Sequence, residues 1–195
     1  INGEYEVYRT TDGGETWTLT PGSALPNPVN IDEYGYNGGN VAYGNSFWFV
    51  TNKGNIYRTT DTGITWSKFT TPLTDFSATG TGGDMYFSNE NNGIIVKRTG
   101  AYPTGAGVEP SYTLYRTSDG CETWDAGSPW TGNLDRMQLA YVPNTSTIVA
   151  TSAYTTNGRF GSEYSSDNGA TWNTIDFGEV QRGDVALADG STGWS

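Results

Sequence analysis

The chain has 195 residues, of which 27 are Gly and 14% are aromatic, and it carries a formal net charge of −11. That charge excludes a nucleic-acid partner, which needs a basic face, and electrostatic docking on anionic lipid. With no His and one Cys, this sequence holds no Ser–His–Asp relay, Cys–His pair, His-ligated metal, thiolate-rich zinc site or internal disulfide framework. No run of 18 or more apolar residues occurs, so no transmembrane helix and no membrane insertion are expected. The sequence opens at Ile1, not at a Met, in strand-like residues, and no signal peptide is expected within it.

In chain order, residues 5–10 and 16–20 read as two strands joined by a tight turn, labelled C and D. A linker rich in Gly, Pro and Asn runs from Pro21 to about Gly39. The next unit has strand A at Asn40–Tyr43, B at Phe47–Val50, C at Asn55–Thr59 and D at Thr65–Thr70. The third has A at Asp84–Phe87, B at Gly93–Val96, an insertion at Arg98–Ser111, C at Thr113–Thr117 and D at Thr123–Ala126. The fourth has A at Met137–Tyr141, B at Thr147–Ala150, an insertion at Tyr154–Gly161, C at Ser162–Ser165 and D at Thr171–Ile175. A last A–B pair covers Asp184–Leu187 and Gly193–Ser195. Short β-branched and aromatic runs bounded by Gly, Asn and Pro support these assignments.

Each C–D turn repeats one skeleton: hydroxyl, any, Asp, any, Gly, any, Thr, Trp. The copies are Thr10–Trp17, Thr59–Trp66, Thr117–Trp124 and Ser165–Trp172, and Cys121 alone replaces the Gly. The intervals Trp17 to Trp66, Trp66 to Trp124 and Trp124 to Trp172 are 49, 58 and 48 residues, a period typical of repeat architectures. The Asp is expected to accept hydrogen bonds from backbone amides two or three residues on, the Gly to supply a left-handed position, and the Thr–Trp pair to start strand D. Cys121 predicts either a relaxed third turn or a positive φ. Asp12, Trp17, Asp61, Trp66, Asp119, Trp124, Asp167 and Trp172 are therefore structural, each Trp being a buried staple that removes roughly 150–250 Å² from water. Arg9, Arg58 and Arg116 recur at one strand-C position and read the same way, whereas the fourth copy has Tyr164 there.

The repeat resembles the Asp-box, or BNR, repeat of β-propellers, and the fold expected is all-β: four-stranded antiparallel blades, about four in this chain. Residues 1–195 read as a single domain or a portion of one, with terminal half-blades at 1–20 and 184–195. Either the two half-blades join into one, or the sequence is an excerpt of a larger propeller, and the excerpt is the expectation. Echoes such as "NIYRTTDTGITW", "MYFSNENNGIIV" and "DVALADGSTGWS" are similar in style to non-catalytic secreted propellers, including the photosystem II assembly-factor type. This style implies an extracellular or cell-surface protein of a bacterium using type IX secretion.

Sialidases and xyloglucanases share the repeat. Sialidases also carry an Arg-Ile-Pro segment, which is missing here, and an arginine triad; Arg98, Arg136, Arg159 and Arg182 have no such motif around them. The catalytic segments of xyloglucanases match no positions here. No catalytic residue is assigned, and the leaning is toward a non-enzyme.

In such a meander the A–B and C–D turns share one end of the blades, and the B–C loops and D–A linkers share the other. Binding residues are sought at this loop end, because loops on a rigid scaffold carry function. The candidates are Tyr34, Tyr36, Arg98, Tyr102, Glu109, Tyr112, Trp130, Tyr154 and Arg159, with Asp32, Glu33, Asp75, Phe76, Asp135 and Arg136 beside them. Tyr and Trp near carboxylates and Arg suit a protein or glycan partner. The chain is further expected to be able to pair with other blades or other chains. No cofactor or metal site is assigned; the oxygen-rich turns Asn89–Gly93 and Asp189–Gly193 could hold Ca²⁺ only weakly, lacking a recognised loop spacing.

Overall fold

The computed structural model describes residues 4–20, 25–76, 81–100, 111–132, 134, 137–152, 161–176, 185–187 and 192–194. Among them every regular element is a strand: β1 (Tyr8–Arg9), β2 (Thr18–Leu19), β3 (Gly35–Tyr43), β4 (Ser46–Thr51), β5 (Asn55–Thr59), β6 (Ser67–Thr70), β7 (Thr81–Phe87) and β8 (Gly93–Thr99). They continue as β9 (Ser111–Thr117), β10 (Ser128–Pro129), β11 (Met137–Tyr141), β12 (Ile148–Ser152), β13 (Gly161–Ser165), β14 (Asn173–Asp176), β15 (Ala186–Leu187) and β16 (Gly193–Trp194). Three antiparallel sheets have four strands each, β3–β6, β7–β10 and β11–β14, and the pairs β1–β2 and β15–β16 are separate two-stranded sheets. The first strands of successive sheets, β3, β7, β11 and β15, lie side by side, so the sheets stand like blades around a common line.

β5 and β11 span the residues expected. Several others reach further. β3 begins at Gly35, inside the stretch expected as linker, with a register shift between Gly35 and Asn40. Arg98 and Thr99 lie in β8 and Ser111 in β9, so the strand pair of the third blade extends into the expected insertion. Tyr102, Glu109, Tyr154, Arg159, Asp135, Arg136 and Arg182 lie outside the described residues.

The D strands begin later than expected. The Thr–Trp pair belongs to the turn and not to the strand, because the turn carboxylate takes both the amide and the hydroxyl of Thr16, Thr65, Thr123 and Thr171. The third blade departs furthest: its outer strand is Ser128–Pro129, not Thr123–Ala126. There the Asp125 carboxylate accepts the amides of Arg116 and Gly127 at 3.0 Å each, and Gly127 turns through φ +78°, which delays the ladder by several residues.

Three apolar layers fill the spaces between blades. Trp48, Val50, Ile56, Phe76, Met85, Phe87, Ile95 and Cys121 form the layer between the β3–β6 and β7–β10 sheets. Trp48 is fully buried, stacks on Phe87 at 4.5 Å between ring centroids, and lies under the Arg58 guanidinium at 5.5 Å. Ile94, Val96, Leu114, Leu139, Tyr141 and Ile148 fill the next layer. Phe49, Tyr57 and Trp66 meet Tyr5 and Val7 of the first pair.

Candidate functional site

The four Asp turns share one construction. The leading hydroxyl (Thr10, Thr59, Thr117, Ser165) donates to the Asp carboxylate at 2.7–2.8 Å and accepts the amide four residues on at 2.8–3.0 Å. The same carboxylate accepts the amide of the turn Thr at 2.8–3.0 Å and its hydroxyl at 2.6 Å. The amides it caps are thus mostly four residues away, not two or three. Thr65, Thr123 and Thr171, giving first a side-chain and then a backbone hydrogen bond, draw the carboxyls of Asp61, Asp119 and Asp167 down to about 2, and Thr16 takes Asp12 lower still. These carboxylates are ionised at neutral pH and each is held by at least three hydrogen-bond donors, which suits a clamp and not a proton donor.

Two consecutive residues, not one, are left-handed in each turn: Gly13 and Gly14, Thr62 and Gly63, Gly120 and Cys121, Asn168 and Gly169, with φ between +60° and +99°. Cys121 indeed has φ +85°, and its thiol is buried in the layer with Trp48. Burial pushes that thiol up to about 12, so it is inert. The first left-handed residue links three parts of the fold. Its amide donates to the A–B turn of its own blade, at Asn45, Asn91 or Ser146. Its carbonyl accepts a guanidinium from the preceding blade: Arg9 to Thr62 at 3.0 Å, Arg58 to Gly120 at 3.2 Å, Arg116 to Asn168 at 2.7 Å. The recurring Arg is a tie between blades.

The Trp staples are not equivalent. Each packs against the blade before it, so Trp66 is buried and Trp124 and Trp172 are half-buried, whereas Trp17 is 60% exposed, with no preceding blade among the described residues. The expectation that every copy is buried therefore fails for Trp17.

At the loop end the nominated residues divide. Tyr36 lies against Phe76, with centroids 5.9 Å apart, and both belong to an interblade layer. Tyr112 is buried in the following layer, where Trp130 meets Trp172 at 3.9 Å. Glu33 is a buried anchor: Asn55 donates to it at 2.7 Å, Thr51 at 2.8 Å and the Val29 amide at 2.8 Å. Burial would raise its carboxyl, but those bonds prevail and hold it below the ordinary range. Its charge, added to burial, pushes the Tyr57 hydroxyl up to about 12.

Outside these layers an open surface remains. Tyr34 is 55% exposed, Val29 61% and Ile31 97%. Among them Lys53 pairs with Asp32 at 2.8 Å, and Asp75 adds its charge to Lys53.

A second feature was not legible in the sequence. Asp84, on the innermost strand β7, lies on the same face as Tyr86, toward the fourth blade. Burial pushes its carboxyl up to about 6 against the opposing pull of Arg98. Arg98 pairs directly with Tyr112 across β8 and β9, so two nominated residues and one missed residue come together. The missed residue carried only an Asp in a strand as its signal. Buried Glu163 of β13 lies near Gly132 and the Trp130 indole in the same interblade space. As for metal, Asn89 has spent its side-chain oxygen on the amides of Asn91 and Asn92. No three acidic, His or Cys side chains converge among the described residues.

No family model matches the chain, and no curated protein does. Solved structures do resemble it. The NanB sialidase from Streptococcus pneumoniae, in complex with 2-[(3-chlorobenzyl)ammonio]ethanesulfonate, aligns with a TM-score of 0.51 and 19% identity over 82% of this chain and 25% of its own. A protein of unknown function from Dyadobacter fermentans aligns with a TM-score of 0.50 and 18% identity over 91% of this chain and 50% of its own. YCF48 bound to D1 peptide gives a TM-score of 0.44 at 16% identity, over 78% of this chain and 45% of its own. The chain thus spans about a quarter of the sialidase and half of the Dyadobacter protein. What is shared at these identities is the fold: an all-β propeller of four-stranded antiparallel blades, of the type that carries BNR repeats.

Proposed function

We propose that this chain is a rigid binding or assembly module, at the cell surface or secreted, that takes a protein or glycan partner at the loop end of its blades. The observation that carries this reading is the open group formed by Val29, Ile31 and Tyr34 around the Asp32–Lys53 ion pair. Ile31 is almost wholly in water, and a Tyr with charges at its rim is the composition of recognition surfaces. The four turn aspartates, held ionised by their own hydroxyl and amide bonds, act at the other end as supports. A glycan array and a panel of immobilised extracellular proteins should return a partner whose binding falls at least tenfold in the double variant Ile31→Ser, Tyr34→Ala, with melting unchanged. Binding that ignores both substitutions would overturn the assignment.

A second reading, a glycan-processing hydrolase of sialidase or xyloglucanase type, has one observation in its favour. Asp84 is poised near neutrality beside Arg98, as a general acid requires. Turnover of a sialoside or β-glucan that disappears in Asp84→Asn would replace the first reading with this one.

A further inference from the structure

We infer that the turn end of the third and fourth blades holds a binding subsite for one residue of an uncharged sugar. A cavity of about 250 Å³ there is lined by Asn89, Asn92, Asn144, Thr145, Ser146 and Asn168, with no charged and no apolar side chain among them. It lies far from Ile31 and Tyr34 along the blades, and it is independent of the proposed partner surface.

The side chains are already aimed. The Asn89 oxygen accepts the amides of Asn91 and Asn92 at 2.9 Å and the Asn92 side-chain nitrogen at 3.1 Å. The Asn144 oxygen accepts the Tyr43 hydroxyl at 2.8 Å, a bond that reaches across from the second blade to the fourth. The Asn168 oxygen accepts the Tyr141 hydroxyl. Three donors fill the Asn89 oxygen, so that side chain offers its NH₂ group, whereas the Asn144 and Asn168 oxygens each take one bond and can accept a second beside their NH₂ donors. The hydroxyl protons of Thr145 and Ser146 are donated to the Val142 and Ser166 carbonyls, and Asn92 keeps its own side-chain oxygen as an acceptor. The lining therefore offers N–H donors and amide-oxygen acceptors side by side. The backbone holds it rigidly: Asn144 and Asn168 are left-handed, their amides bonded at 2.9 Å to Ser88 and Ser146.

Charge selects the ligand class. The site contains no carboxylate to hold a cation. An anion would find no cationic side chain in the lining, and the Asp167 carboxylate stands next to Asn168 in a chain of net charge −11. A hydroxyl group both accepts from NH₂ and donates to a side-chain oxygen, and vicinal hydroxyls present such pairs at the spacing of a carboxamide. The volume is below the usual range for drug-sized ligands and suits a single ring.

The test is a titration of the ¹⁵N-labelled chain with methyl glycosides of glucose, mannose, galactose and N-acetylglucosamine, following the side-chain NH₂ resonances of Asn89, Asn144 and Asn168. At least one glycoside should shift all three saturably, and Asn144→Gly, which keeps the left-handed backbone comfortable, should weaken that binding at least tenfold while the chain stays folded at the temperature of the titration. If Asn144→Gly melts early, Asn89→Ser offers the same comparison from the opposite wall. Resonances unmoved by every glycoside, shifts produced instead by sodium sulfate or acetate, or glycoside binding unaltered in the variants would each overturn the assignment. Loss of partner binding in the Ile31→Ser, Tyr34→Ala variant leaves these shifts untouched, so the two readings fail separately.

Discussion

The two ends of the blades are built on opposite plans. At the turn end one solution is written four times: a hydroxyl, an Asp and a Thr close each turn, and an Arg from the blade before ties three of them to a neighbour. At the loop end nothing repeats. Glu33 anchors one linker, Asp84 sits against Arg98 in one blade only, and the apolar residues left over at Ile31 and Tyr34 face water. A rigid, redundant end frees the other end to vary without loss of the fold. Asp84 also answers protons with the sign opposite to that of the turn carboxyls, since they are lowered and it is raised.

The contrast can be broken most severely at an interblade tie. Arg116 donates to the Asn168 carbonyl at 2.7 Å and to Ser128 at 2.8 Å, and pairs with Asp125 at 3.3 Å. Arg116→Met should cost about 1–3 kcal/mol in chemical denaturation, the range for a partly buried charged donor whose partners are left unsatisfied. A loss below about 0.5 kcal/mol would mean that the tie is ornamental.

Asp84 comes next. Its folded carboxyl titrates at about 6 against an ordinary 3.8, so the folded state holds the proton more tightly, and stability should fall as pH rises from about 4 to about 6. Asp84→Asn should abolish that slope and raise stability at pH 7.5 by up to roughly 3 kcal/mol, the free-energy equivalent of the shift. A variant that is less stable at pH 7.5 would show that the charged form is favoured there.

The turns predict the opposite slope. Their carboxyls are depressed, so their contribution is complete above the ordinary 3.8 and is lost as pH falls toward about 2. Asp167→Ala should lower the melting temperature by a few degrees at pH 7 and much less at pH 2. An equal loss at both would assign the effect to packing.

The smallest stability effect belongs to the open loop surface. Ile31→Ser should change stability by less than about 0.5 kcal/mol, as an exposed side chain away from any network does, while weakening partner binding.

How much of this was legible follows from the range of the interactions. The turns were readable because every bond inside them spans two to four residues, so the motif and its geometry are the same fact. Even so, the left-handed residue just ahead of the Gly is not legible, because Thr62 occupies that position as readily as Gly13 or Asn168. Strands with strong patterning, such as Asn55–Thr59 and Met137–Tyr141, were found intact. The third outer strand was misplaced because Thr123–Ala126 has the composition of a strand while Asp125 uses its carboxylate to cap the neighbouring one. Of the nominated binding residues, Tyr36, Tyr112 and Trp130 pack between blades, which the sequence could not distinguish from open aromatics. Tyr34 is exposed.

By itself the sequence determined the all-β repeat, its period and the identity of its turn clamps, since local hydrogen bonds and alternating strands are encoded within a few residues. Only the tertiary structure decided what each repeated residue meets. Trp66 is covered and Trp17 is not, although their motifs agree, because burial depends on the neighbouring blade. Asp84 rises toward 6 while Asp61 falls to about 2, because desolvation and hydrogen-bond donors come from segments distant in the chain or from the folded turn itself.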